Sequence, residues 1–162
     1  MGLHDDPPLD RPLTAEDLGS GTESAPQLTI EVWLPLRDTD PLQLLMLRRS
    51  EQRGAFWQGV SGRVEPTDRT LRDAAVREVF EETGLQVDPA SVVDLRQGYA
   101  YFGLMSGRPF RKRSVAVWLP SDLTPERLTL SAEHVEARVL HVDEARALLR
   151  FEAMHAELDA LG

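Results

Sequence analysis

At 162 residues the chain is long enough for one domain with a sizeable core and too short for two ordinary ones. It contains no cysteine, which excludes disulfides, thiolate zinc sites and cysteine nucleophiles. Its formal net charge of −9 denies it a general attraction for nucleic acid, so a phosphate-bearing substrate would need a cation between, and a divalent metal is the natural choice.

Residues 1–26, rich in Pro, Asp and Gly, are expected to form a tail leading into a single domain over 27–162. Within that tail, Thr14-Ala-Glu-Asp17 has the pattern that caps a short helical turn, although a plain loop accounts for it equally. The start lacks the basic and apolar stretches of a signal peptide, and Asp6 breaks the pattern expected after a myristoylated Gly2. No apolar run reaches membrane-spanning length. These features lead us to expect a soluble, cytoplasmic protein with no membrane partner.

Residues 28–36 (LTIEVWLPL), β-branched and aromatic, read as a strand, and residues 42–48 read as its neighbour across a turn at 37–41. Residues 57–62 (WQGVSG) read as a short strand with glycines where another backbone approaches. A helix follows over 70–83, opened by Thr70 with Asp73 and stopped by Gly84. Residues 91–101 and 113–119 are further strands. Between them, 103–112 carries two Gly, a Pro and three basic residues, and reads as a surface loop or a phosphate-facing rim. A last strand over 135–141 precedes one or two amphipathic helices over 142–161. Strands interspersed with few helices give an α/β class with a mixed sheet.

The helix carries the chemistry. At about 100° per residue, Ala74, Ala75 and Val79 fall with Leu71 on the face turned to the body. Glu78 and Glu82 fall in that same arc, and Glu81 borders it. Arg77 is at four-residue spacing from Asp73 and Glu81, whereas Glu78 and Glu82 have only acidic or apolar neighbours at the interacting spacings. Like charges so placed cost about 0.2–0.5 kcal/mol even on an exposed helix. They also crowd the helix C-terminus, where the dipole disfavours anions. A bound dication reverses each of these terms, and oxygen-only ligands suit Mg²⁺ or Mn²⁺. A solvated acidic helix end accounts for the same residues if arginines from elsewhere reach them.

The run Arg77-Glu78-Val79-Phe80-Glu81-Glu82-Thr83-Gly84-Leu85, with Gly62 ahead of it, resembles the signature box of the Nudix (MutT-type) hydrolase family. The first half of the box departs from the family pattern. The span from Gly62 to Arg77 is one residue too long, so the family's first glutamate meets Asp68 when aligned from Gly62 and Arg69 when aligned from Arg77. Outside the box, residues 45–50 (LMLRRS), Phe56-Trp57-Gln58, Val60-Ser61-Gly62 and Glu133-His134 are similar to the dihydroneopterin triphosphate diphosphatase branch.

The resemblance implies a Nudix fold, a mixed sheet sandwiched between helices (α/β/α). It implies Mg²⁺-dependent hydrolysis of a diphosphate linkage in a pterin or purine triphosphate, giving a monophosphate and pyrophosphate. The metal would be held by Glu78, Glu81, Glu82, Glu133 and the carbonyl of Gly62. Catalysis would involve Glu78, Glu82 and Glu133, with Arg77 orienting the carboxylates and the base being either Glu133 or a helix glutamate. Arg49, Ser61 and His134 would contact the substrate, a small phosphorylated molecule, in a monomer or homodimer. Tyr101 stands near where some members that cleave dinucleoside polyphosphates carry a tyrosine. A dinucleoside polyphosphate hydrolase and a non-catalytic nucleotide sensor are the alternatives.

Overall fold

The computed structural model describes residues 6–162; the first five, Gly2 among them, lie outside the described residues. The chain runs α1 (Ala15–Leu18), β1 (Gln27–Pro35), β2 (Gln43–Arg49), β3 (Trp57–Gln58), β4 (Val60–Arg63), α2 (Leu71–Thr83), β5 (Val92–Phe102), β6 (Pro109–Val117), β7 (His134–His141), α3 (Val142–Leu148) and α4 (Ala153–Asp159).

Strand β1 organises the rest. After Gln27 every residue in it is buried, as expected of a central strand covered on both faces. It pairs parallel with β6 over Gln27–Trp33 and antiparallel with β4 over Thr29–Val32. It then pairs antiparallel with β2 at Leu34 and Pro35. Strand β5 extends the sheet beyond β6, and β7 and β3 extend it beyond β2, giving seven strands of mixed direction.

The period of two sorts the core. Leu28, Ile30, Val32 and Leu34 face Leu71, Ala74, Ala75 and Val79 of α2 in one cluster. Trp33, with Leu44 and Met46 of β2, faces Ala145 of α3 and Met154 and Leu158 of α4 in a second. Each such buried Val, Leu, Ile or Met side chain contributes about 1.5–3 kcal/mol. The sheet is therefore sandwiched between α2 on one side and α3 and α4 on the other, as the α/β/α expectation holds.

Several local readings are refined. Residues 57–62 form two strands with a corner at Gly59, where a Cβ would sit 2.3 Å from the Val32 carbonyl oxygen. The expected loop over 103–112 is shorter, because Pro109–Lys112 already belong to β6 and pair with β5. The Thr14 capping box forms, with Thr14 Oγ1 accepting from the Asp17 amide and Asp17 accepting from the Thr14 amide. The segment from Asp6 onward lies against the body. Leu9 is buried in the first cluster, Asp10 pairs with Arg72 at 2.7 Å, and the Arg69 carbonyl accepts from the Leu13 amide.

Candidate active site

Helix α2 starts at Thr70, whose hydroxyl accepts from the Asp73 amide, and ends at Gly84 in the left-handed region (φ 77°). Fixing both ends fixes the rotation of the helix, which turns Glu78 and Glu82 inward. Each is 5% exposed, while Glu81 remains open to solvent.

Arg77 ties this helix to the loop before it. Its Nε and Nη2 donate to the two oxygens of Asp68, each at 2.8 Å, and Nη2 also donates to the Arg63 carbonyl at 3.0 Å. Its Nη1 donates to Glu78 at 2.9 Å and Glu81 at 3.1 Å. These five bonds match the five N–H donors of a guanidinium. The hydrogen bonds it donates to Asp68 hold Arg77 well above its ordinary pKa. Of the two sequence alignments, the structure thus places Asp68, and not Arg69, as the acid that braces the box. Asp73, at four-residue spacing from Arg77, is not among its partners; the guanidinium is taken up by Asp68, Glu78, Glu81 and the Arg63 carbonyl.

Gly62 lies against the helix. A Cβ there would sit 2.1 Å from Glu78 Oε1 and 2.3 Å from its carboxyl carbon, so only glycine lets this carboxylate reach the β4 backbone. Gly62→Ala is expected to lower turnover about a hundredfold and weaken Mg²⁺ activation, measured as the metal concentration giving half-maximal rate, because Glu78 must swing out.

Glu82 is held from the other side. Its Oε2 accepts from Ser131 Oγ at 2.6 Å and faces His134 Nδ1 at 2.7 Å; His134 Nε2 lies 3.4 Å from the Gln58 amide nitrogen. Burial pushes Glu82 up, and the bonds from His134 and Ser131 more than offset it, leaving the group below its ordinary value. Glu133, two residues from Ser131, moves the opposite way. Burial and then the neighbouring Glu82 charge raise it, against Arg53 at 3.1 Å. Two adjacent carboxylates whose affinities for protons are pushed apart are suited to different roles.

Burial pushes Glu78 up to about 7, against the opposing charge of Arg77. The native state therefore binds this proton more tightly than the unfolded chain does. The stability this gives is complete below the ordinary value of 4.5 and is lost as pH rises through about 7. Metal-free protein should lose up to roughly 3 kcal/mol of stability from this group between about pH 5 and pH 8. Melting curves of wild type and Glu78→Gln check it, since the variant should lack that fall.

One cavity of about 1190 Å³ collects these groups. Of the residues singled out from sequence, Glu78, Glu81, Glu82, Glu133, Gly62, Ser61 and Arg49 all line it. Arg77 and His134 do not; they stand behind Glu78 and Glu82. Arg49 lies 5.3 Å from the centre of the Phe56 ring, and its buried Nε has no partner among the described residues. Ser131 and Arg53 carried no sequence signal, and Gln58 stood out only as part of the resemblance with no role attached, because their roles arise from contacts across the fold.

Among the described residues, no three His, Asp or Glu side chains converge as a ready-made cage. Glu78 is turned to Arg77, and Glu82 to His134 and Ser131. The donor set nevertheless fits a hard dication, since acidic oxygens from α2 meet the Gly62 backbone through a gap that a Cβ would fill.

A family model described as the NUDIX domain matches residues 27–161. The chain belongs to the Nudix family. This domain is that of a hydrolase acting on pyrophosphate bonds, and MutT-type proteins are among its structural neighbours. An asymmetrical bis(5′-nucleosyl)-tetraphosphatase of Rattus norvegicus is 31% identical over 128 residues, covering 77% of this chain and 82% of that protein. A protein named octanoyltransferase from Myxococcus xanthus is 33% identical over 112 residues, covering 69% of this chain. The chain spans only 30% of that relative's length. The E. coli dihydroneopterin triphosphate pyrophosphohydrolase superposes with a TM-score of 0.66 at 23% identity, covering 82% of this chain and 92% of that one. A C. elegans Ap4A hydrolase gives 0.65 at 18% identity, covering 83% and 93%. Likenesses at this identity establish the shared Nudix fold. No helix among the described residues is long and apolar enough to cross a membrane.

Proposed function

We infer that this Nudix protein catalyses the Mg²⁺-dependent hydrolysis of a diphosphate linkage in a nucleoside-triphosphate-like substrate, a pterin or purine triphosphate, releasing a monophosphate and pyrophosphate. The observation that carries this reading is the gathering, on one cavity, of the three α2 carboxylates, the Gly62 backbone and Arg49, whose buried Nε has no partner among the described residues.

Glu78, Glu81, Glu82 and the Gly62 carbonyl would hold Mg²⁺, with Mn²⁺ able to replace it, and Glu133 could add a ligand. When bound, the metal supplies charge neutralisation for the leaving diphosphate and acidifies water. Arg49 would bind a phosphate oxygen through its guanidinium, and Ser61 would bind one through its hydroxyl. Glu133, raised above its ordinary value on the cavity wall, is the carboxylate suited to take the proton of the attacking water. Arg77 and His134 orient Glu78 and Glu82. We place the protein in the cytoplasm, as a monomer or homodimer acting on small molecules.

A second substrate reading, a dinucleoside polyphosphate, is favoured by the name of the rat relative and by cavity size. About 1190 Å³ exceeds the roughly 300–1,000 Å³ usual for a single ligand. Release of products with Mg²⁺, pyrophosphate from the pterin and purine triphosphates and two nucleotides from a dinucleoside polyphosphate, ranked by kcat/KM over that panel, decides between the two. Binding without release across that panel would leave a sensor instead of an enzyme. Glu133→Gln should lower kcat about a hundredfold with little change in melting temperature, as expected for a base on the cavity wall.

A further inference from the structure

The first amide groups of a helix have no carbonyl partner within it and must be satisfied from outside. In α2, Thr70 Oγ1 takes the Asp73 amide at 3.1 Å. The Arg72 amide donates to the Leu9 carbonyl at 3.2 Å, and the Leu13 amide donates to the Arg69 carbonyl at 2.9 Å. Two backbone bonds thus grip the chain on either side of Thr70. Both come from a segment outside residues 27–161, the part matched as the NUDIX domain.

The Arg72 side chain strengthens the same junction. Its Nε and Nη2 donate to the two Asp10 oxygens at 2.7 and 3.0 Å. Its Nη1 donates to the Pro89 and Val92 carbonyls at 2.6 and 3.0 Å. One residue therefore joins the segment, the signature helix and the entry to β5. Leu9 is buried in the cluster that holds Leu71, Ala74, Ala75 and Val79, and Leu13 and Leu18 pack against its edge. On β6, Arg113 Nη1 donates to the Pro7 carbonyl at 2.5 Å, and Arg111 Nη2 donates to the Asp17 carbonyl at 3.2 Å.

The grip on Arg72 lies about 15 Å along the helix from Glu82, at about 1.5 Å per residue. A helix is about 10–12 Å across with its side chains, so a turn of about 20° moves a carboxylate at its edge by about 2 Å. Mg²⁺ demands near-ideal octahedral geometry, with oxygens at about 2.0–2.1 Å. A rotation that side-chain packing absorbs is therefore one that the metal does not.

We propose that residues 6–18 form a strap whose seating on Arg69 and Arg72 sets the rotation of α2, so that Leu9 and Asp10 are positioning residues for the metal-binding carboxylates. This rests on the reading that Glu78, Glu81 and Glu82 hold a divalent metal. The coupling is reciprocal: the factor by which the seated strap tightens metal binding is the factor by which metal tightens the seating of the strap.

The test is Mn²⁺ binding to the full chain without substrate, followed by electron paramagnetic resonance. Leu9→Ala and Asp10→Arg should each raise the Kd for Mn²⁺ at least about fivefold. Asp10→Glu, which keeps the charge facing Arg72, should stay within about twofold of wild type. Leu158→Ala serves as the control. It removes a buried leucine from the cluster on the opposite face of the sheet, and should lower the melting temperature about as much as Leu9→Ala while leaving the Kd within about twofold. In the reverse direction, saturating Mg²⁺ should slow hydrogen exchange at the Leu13 amide at least about fivefold.

A Kd unchanged in both strap variants, or raised as far in Leu158→Ala as in Leu9→Ala, would overturn the strap. So would Leu13 exchange indifferent to Mg²⁺. Should Leu9→Ala not fold, Asp10→Arg decides alone, because the Asp10 side chain is 72% exposed and its replacement leaves the core intact. Wild-type protein that binds no Mn²⁺ removes the metal reading itself, a result distinct from tight binding that the strap does not influence.

Discussion

Glu82→Gln should fold and lose at least about a hundredfold of its Mg²⁺-dependent turnover. The amide oxygen of glutamine can still accept from Ser131, so the packing around residue 82 survives. What disappears is the charge, and with it the charge-assisted part of the contact to His134, worth about 1–2 kcal/mol. A steady-state assay paired with thermal melting separates the two effects. Turnover equal to wild type would remove the metal reading of the helix, and with it the enzyme mechanism inferred from it. A collapse in melting temperature would instead make Glu82 a structural residue.

Arg77→Met should be the most damaging change to stability in the region. It removes a guanidinium that meets five acceptors and leaves the buried Asp68 without its partner. Breaking a buried pair on one side costs about 3 kcal/mol, taking the lower end because Arg77 reaches solvent. For a chain of this size the melting temperature should fall by about 6–12 °C. Activity should drop too, because Glu78 and the loop from Gly62 lose their common anchor. The double variant Arg77→Met/Asp68→Asn should recover part of the melting temperature, since the stranded charge is gone. Additive losses would show that Asp68 and Arg77 do not work as a pair.

Much of this was legible in the sequence because it depends on local periodicity. The run LTIEVWLPL, too apolar for a one-sided strand, is the fully buried β1. Thr70 and Gly84 mark the ends of α2, and the 3.6-residue period alone places Glu78 and Glu82 inward. The partners of those carboxylates were not legible. Ser131 lies 49 positions and His134 52 positions from Glu82, and no local pattern links such residues. His134, expected from the resemblance to touch substrate, has its ring between Glu82 and Gln58. The extent of β6 was underestimated because Pro109, Arg111 and Lys112 look like loop residues. Pairing across the sheet with Phe102, Ala100 and Tyr99 of β5 is what makes a strand of them. For the same reason the buried Lys112 looks, in the sequence, like part of a surface loop or a phosphate-facing rim.

The bracket between Asp68 and Arg77 bears on how distant kin of this chain are recognised. Its connecting segment has one more backbone residue than the family pattern, and its acid has one methylene fewer. The two differences offset each other, and both carboxylate oxygens still meet the guanidinium at 2.8 Å. What is kept is the meeting point of two groups in space, reached by a different apportioning of main chain and side chain. A search by fixed intervals would pass over such chains, whereas one that allowed a shorter acid wherever the loop is longer would find them.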